Sequence, residues 1–152
     1  MDVDYVIEHQ AKTWIPTSNE DSFTNQLIDA YLHGRKDGIE LIEKLKQEKL
    51  NENINKSGNI SKRLIHVLKD SSFSPIDAYL RVHSFDRFDI MVTVPEEDYL
   101  KDEFLDMYDI ISDIEVKSND DFYKAFISIC STNDHFEEQI VASDGYTLKL
   151  AK

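Results

Sequence analysis

The feature that most restricts the fold of this chain is a change in the spacing of its apolar residues. In the first half they recur every three or four positions, as at Phe23, Leu27 and Ala30. That spacing is typical of amphipathic helices, which bury one face. From residue 88 to residue 94, every second residue is apolar instead. Period-two alternation indicates a β-strand, so the chain divides into a helical half and a β-rich half.

The β-rich half begins with two alternating segments at 78–82 and 88–94, joined by the short link 84–87. A link of this length favours a β-hairpin. A competing interpretation starts a helix near Pro75, because proline suits the first turn of a helix. The sequence therefore leaves residues 75–83 open between strand and helix.

The remainder of this half contains one helix and two further strand signals. Pro95 is suited to end the second strand and to open a helix over 96–117. Alternation returns at 122–130, and Ser143-Asp144-Gly145 predicts the turn of a final hairpin. The predicted fold class is α+β: a helical N-terminal half, then a β-β-α-β-β unit forming a mostly antiparallel sheet with helices packed on one face.

The first half is expected to hold several helices and one loop. Apolar spacing predicts a short helix over 3–14, and the glycines of 33–38 predict a break before the next helix. Residues 51–60 hold four asparagines and one glycine and are predicted to form a loop, after which Ser61 caps a short helix. With 152 residues, of which 41% are hydrophobic, the chain suits one domain over 1–152, with that loop between its halves.

The predicted helix 96–117 has one strongly acidic face. Five aspartates recur at steps of three or four residues, and apolar residues lie opposite: the acids are Asp98, Asp102, Asp106, Asp109 and Asp113, and the apolar set is Leu100, Phe104, Met107, Ile111 and Ile114. The acids extend over about 22 Å of helix, too far to form one metal or catalytic centre. A solvated surface explains them, and so does a docking surface for a basic protein.

The residues assigned to such a docking surface are the four acids beyond the first turn and two tyrosines at the border of the face. They are Asp102, Asp106, Asp109, Asp113, Tyr99 and Tyr108. The helix dipole already accounts for acids in the first turn. Tyrosine is enriched in protein interfaces, which suits this position.

The charge of the chain argues against several partners. A formal net charge of −13 opposes binding to nucleic acid or to an anionic membrane, both of which need clustered cations. The one basic cluster, Lys62, Arg63 and Lys69, is too sparse to change this expectation. The single cysteine, Cys130, excludes an internal disulfide, and the first residues lack a signal-peptide pattern, so we expect a cytoplasmic protein.

Motifs for catalysis or cofactor binding are missing from the sequence. No two histidines lie within four residues of each other, and no glycine-rich phosphate loop or nucleophile elbow occurs. We therefore expect no cofactor and no metal, and a non-enzymatic protein-binding or regulatory module whose contact surface is the acidic helix 96–117. One alternative is an enzyme or small-ligand binder with a site near Asp86, Asp89 and His135. Another is a structural homo-oligomeric subunit that associates through the first-half helices.

Overall fold

The computed structural model describes residues 13–17, 20–34 and 40–152. Within them, five strands and five α-helices follow one another. They are β1 Trp14–Pro16, α1 Glu20–Gly34, α2 Glu40–Asp70, β2 Ala78–Ser84, β3 Arg87–Pro95, α3 Glu96–Tyr99, α4 Leu105–Ser118, β4 Lys124–Thr132, α5 Glu138–Ser143 and β5 Leu148–Leu150, with a 3₁₀ turn at Asp102–Phe104. α1 ends at Gly34 and α2 begins at Glu40, and most of the break predicted within 33–38 lies outside the described residues.

The five strands form one mixed sheet in the order β1-β5-β2-β3-β4. All neighbours are antiparallel except β3 and β4, which are parallel. A parallel pair needs a crossover connection, which the segment from α3 to α4 supplies. The α+β class and the mostly antiparallel sheet are thus confirmed. The hairpin of β2 and β3 is confirmed as well, and it settles residues 78–83 as a strand.

The sheet has one thoroughly apolar face. In register across its centre, Leu80, Ile90 and Ile127 are side by side and buried. The long helices α1, α2 and α4 pack on this face and complete the main core. The opposite face carries a smaller cluster, in which Tyr79 packs with Val141 of the short helix α5. The three long helices therefore share one face, as predicted, and α5 covers part of the other.

The loop predicted at 51–60 is wrong, because α2 continues through it as a 31-residue helix. Two of its polar residues, Asn53 and Ser57, face the core and are hydrogen-bonded there. The Asn53 side-chain nitrogen donates to the backbone oxygens of Phe85 and Phe122, each at 2.8 Å. Ser61, predicted to cap a helix, lies inside this one and donates to the backbone oxygen of Ser57 at 2.8 Å. Tertiary partners override the local preference of asparagine and serine for loops.

A close approach of β1 explains the glycine in the middle of α2. A Cβ added at Gly58 would lie 2.6 Å from Cγ2 of Thr13, the residue before β1, so the Thr13 side chain would have to shift. The indole nitrogen of Trp14 donates to the backbone oxygen of Ile54 at 3.2 Å and fixes the strand on the helix. Trp14 was predicted to close a helix over 3–14, which is wrong for this residue. The rest of that prediction lies outside the described residues.

The predicted helix 96–117 is divided into α3, the 3₁₀ turn and α4. Asp98 is buried, and its carboxylate accepts the Ser74 backbone N–H at 2.7 Å and the Lys101 ammonium at 3.0 Å. Burial opposes ionisation of Asp98, but these two donors outweigh it and lower its pKa. Leu100, expected on the apolar face, is instead 70% exposed. A single helix from 96 to 117 is therefore wrong, and Asp98 does not belong to its solvent face.

The final hairpin is also wrong. Residues 138–143 form α5, and β5 pairs with β1 and β2. Gly145 has a φ of +97°, and its N–H donates to Ala142 O at 3.0 Å. The Tyr146 N–H donates to Val141 O at 3.3 Å. This pair of bonds is a Schellman motif, so the glycine that suggested a hairpin turn ends a helix.

Candidate functional site

The four aspartates assigned to the docking surface are all exposed. Asp106, Asp109 and Asp113 lie on α4, and Asp102 lies in the 3₁₀ turn that precedes it. The opposite side of α4 is buried, with Met107, Ile111 and Ile114 in the main core. Angular spacing therefore predicted the two sides of this helix correctly from residue 104 onward.

Large apolar side chains share the exposed side of α4 with these acids. Leu105 is 67% exposed and Val116 is 69% exposed. At about 100° per residue, these two and Asp109 fall within about 40° of one another around the helix. We call Leu105, Asp106, Asp109, Asp113 and Val116 the α4 outer face. The sequence analysis does not assign its apolar members, although the same angular spacing that groups the acids also places Leu105 and Val116 beside them.

Among the described residues, cations neutralise little of the negative charge on and near the α4 outer face. Asp113 pairs with Lys117 at 2.9 Å, an exposed pair one helical turn apart. Such pairs contribute little and are screened by salt. Asp102, Asp106 and Asp109 form no ion pair with any residue that the structure describes. Three carboxylates therefore remain available to a positively charged partner.

The two predicted tyrosines border the acids as one aromatic cluster. The Phe104 ring lies between them, with its centroid 5.6 Å from Tyr99 and 5.7 Å from Tyr108. A hydrogen bond with Tyr99, together with partial burial, raises the pKa of Tyr108 to about 12. Both tyrosines remain about two-fifths exposed, at 37% and 41%. The structure thus brings these two candidates together beside the α4 outer face.

The alternative site does not assemble as predicted. Asp86 lies in the β2–β3 turn, where its carboxylate accepts the Ser84 hydroxyl at 2.7 Å. Asp89, near the start of β3, is opposite Phe126 on β4. His135 follows the far end of β4, roughly 20 Å further along the strand direction. A common site for Asp86, Asp89 and His135 is therefore wrong.

A different histidine contacts Asp89. His83 Nε2 lies 2.6 Å from Asp89 Oδ2, and Arg81 Nε donates to the same oxygen at 2.8 Å. The two strands of the predicted hairpin bring these residues together, with Arg81 opposite Asp89, so cross-strand pairing was the available signal. Asp89 orients the His83 ring. The guanidinium of Arg81 binds the same Asp89 carboxylate, so the three side chains form a structural ion network.

The described residues offer little for metal chemistry or thiol chemistry. No group of three or more His, Cys, Asp or Glu side chains among them is placed to hold a metal ion. Cys130 is half-buried, and burial raises the pKa of its thiol and so disfavours the nucleophilic thiolate. None of the helices in the described part of the chain has the length and apolar composition required to cross a bilayer.

Comparison with known protein families, with curated proteins and with solved structures finds no significant match to this chain.

Proposed function

We propose that this protein is a non-enzymatic binding module and that the α4 outer face is its contact surface. The partner is a basic, amphipathic segment of another protein. The observation that carries the proposal is the exposure of Leu105 and Val116, at 67% and 69%, directly beside Asp106, Asp109 and Asp113. A surface that served solubility alone would need the charges but not the apolar side chains.

The apolar residues supply the part of the interaction that charge cannot. Burying apolar surface contributes roughly 25 cal/mol per Å², whereas exposed ion pairs contribute little. Leu100, 70% exposed, and the Tyr99–Tyr108 cluster extend the apolar area toward the start of α4. Interfaces typically combine such an apolar and aromatic centre with a polar rim.

The carboxylates define the charge of the partner. Asp102, Asp106 and Asp109 have no cation among the described residues, and the chain as a whole carries −13. This charge steers a basic partner toward the face and repels a second copy of the same face. Binding is therefore expected to weaken as salt rises, because the Debye length falls from about 30 Å at 0.01 M to about 8 Å at 0.15 M.

A defined peptide tests this surface directly. The probe is a synthetic helical peptide with lysine on one face and leucine on the other, and its binding is followed by fluorescence anisotropy. The double variants Asp106→Lys with Asp109→Lys, and Leu105→Ser with Val116→Ser, are each expected to weaken binding about tenfold or more. The wild-type affinity should also fall as salt is raised.

The matched control reverses two exposed acids elsewhere. Asp121→Lys with Asp134→Lys changes the net charge equally but leaves the α4 outer face intact. If this control weakens the peptide as much as the α4 variants do, net charge alone attracts the peptide, and the α4 surface is rejected. Natural partners captured at low salt are tested in the same way. Their binding should be weakened by the two α4 double variants and not by Asp121→Lys with Asp134→Lys.

A further inference from the structure

A separate cavity lies where the C-terminal part of α2 meets the ends of β2 and β5. Its volume is about 460 Å³. The walls come from one side of α2, from the segment that enters β2 and from the residues that end β5, and they include Lys62, Ile65, Lys69, Ile76, Asp77 and Leu150. This volume falls within the usual range for small-molecule sites.

The cavity is basic in an acidic protein. Lys62 and Lys69 are seven residues apart, about two turns of α2, and line it from the same side of the helix. Neither forms an ion pair with a described residue. Tertiary structure adds Lys152, whose ammonium lies 3.5 Å from Asp77 Oδ1. Three ammonium groups and one carboxylate leave a local charge of +2.

Asp77 adds a second, independent indication of a ligand. Its side chain is only 10% exposed, and its Oδ1 is buried without a hydrogen-bond partner. Its backbone is fixed, because the Asp77 N–H donates to Thr93 Oγ1 at 3.0 Å. Buried polar atoms are nearly always hydrogen-bonded, whereas among the described residues Asp77 Oδ1 has only the ion pair with Lys152 at 3.5 Å, so a ligand hydroxyl would supply the missing hydrogen bond once the Lys152 ammonium turned to a phosphate of that ligand.

We propose that this cavity binds a small hydroxylated phosphomonoester. A phosphomonoester carries about −1.5 to −2 charges at pH 7, which matches the local +2. Lys62, Lys69 and Lys152 would donate to its phosphate oxygens, as lysine does in many phosphate sites. A hydroxyl group would donate to Asp77 Oδ1, and the carbon skeleton would contact Ile65, Ile76 and Leu150. The site is independent of the α4 outer face.

Isothermal titration calorimetry with three probes tests the ligand class. We expect glucose 6-phosphate to bind, butyl phosphate to bind about tenfold more weakly because it lacks a donor for Asp77, and glucose to show no binding. Binding should weaken from pH 7 to pH 5, because the second pKa of the phosphate is about 6. Absence of binding by both phosphomonoesters up to about 10 mM would overturn the proposal.

Matched variants test the location. Lys62→Ala with Lys69→Ala should weaken glucose 6-phosphate at least tenfold, whereas Arg63→Ala, which removes an exposed cation outside the cavity, should change it less than twofold. In Asp77→Ala, the preference for glucose 6-phosphate over butyl phosphate should disappear. Circular dichroism verifies that each variant is folded. Equal losses in the lysine variant and in Arg63→Ala, or an unchanged preference in Asp77→Ala, would contradict the assigned site.

Discussion

Helices α2 and α4 depart from the usual amphipathic pattern in opposite directions. In α2, polar side chains face the core: Asn53, Ser57 and Ser61 are no more than 1% exposed. In α4, apolar side chains face solvent, with Leu105 and Val116 each about two-thirds exposed. Both helices also bury ordinary apolar residues against the same face of the sheet.

The two helices differ in whether these unusual side chains have partners within the chain. Asn53, Ser57 and Ser61, which we call the α2 seam, each have a hydrogen-bond partner within the chain. One example is the Tyr123 hydroxyl, which lies 2.8 Å from Ser57 Oγ. Leu105 and Val116 of α4 are instead left about two-thirds uncovered by the described residues. A buried polar residue with a hydrogen-bond partner needs no further explanation, whereas exposed apolar side chains between charges suit the proposed binding surface. Three measurements of stability test this difference between the two helices.

The largest effect on stability is expected at the centre of the α2 seam. Asn53→Ala removes the donor to the backbone oxygens of Phe85 and Phe122 and should lower the free energy of unfolding by about 2–4 kcal/mol. Urea denaturation measures the loss. Asn55→Ala is the control, because Asn55 is exposed on the same helix and alanine is the better helix former. Equal effects at both positions would show that the seam contributes nothing specific.

An intermediate effect is expected at high pH. Burial raises the pKa of Tyr123 to about 12, with the hydrogen bond to Ser57 opposing this shift and the charge of Asp120 adding to it. Because the folded state holds this proton more tightly than the unfolded state, the stabilisation is complete below pH 10. It should be lost as pH rises toward 12, by about 2 kcal/mol.

Urea denaturation of wild type and Tyr123→Phe across this pH range tests that expectation. The variant should lose less stability between pH 10 and pH 12. Some decline should persist in it, because burial and the neighbouring Glu138 also raise the pKa of Tyr79. Identical pH dependence in the two proteins would mean that Tyr123 does not ionise differently in the folded and unfolded states.

The smallest effect on stability is expected on the α4 outer face. Leu105→Ser with Val116→Ser should change the free energy of unfolding by no more than about 0.5 kcal/mol per site, because both side chains are already exposed. Leu64→Ser, at a buried position of α2, is the control and should cost more than about 3 kcal/mol. A large loss in the α4 variant would assign these residues to the core rather than to a binding surface.

The parts of the fold that depend on neighbouring residues were predictable. The β2–β3 hairpin follows from two alternating segments and a short link, and α4 shows its buried face in its own spacing. The continuous helix through 51–60 was not predictable in this way, because the two polar residues that it buries, Asn53 and Ser57, find hydrogen-bond partners far along the chain. Ser143-Asp144-Gly145 suits both a turn and a helix end, so the local pattern could not choose between them.

The same division holds for the candidate sites. Exposure of Asp106, Asp109 and Asp113 followed from their angular spacing. The basic cavity was invisible, because it joins Lys62 and Lys69 to Asp77 and to Lys152, which is 83 residues beyond Lys69 in sequence numbering. The contact between His83 and Asp89 differs from this, because the predicted β2–β3 hairpin already brings the two residues near each other.

By itself, the sequence determined the periodicity of the elements, the class of the fold and the charge of the surface, because these depend on residues a few positions apart. Tertiary structure alone decided which polar residues are buried, which apolar residues stay exposed and which distant lysines meet. Those outcomes depend on long-range partners, whose hydrogen bonds and packing outweigh local preferences of about 1 kcal/mol per residue.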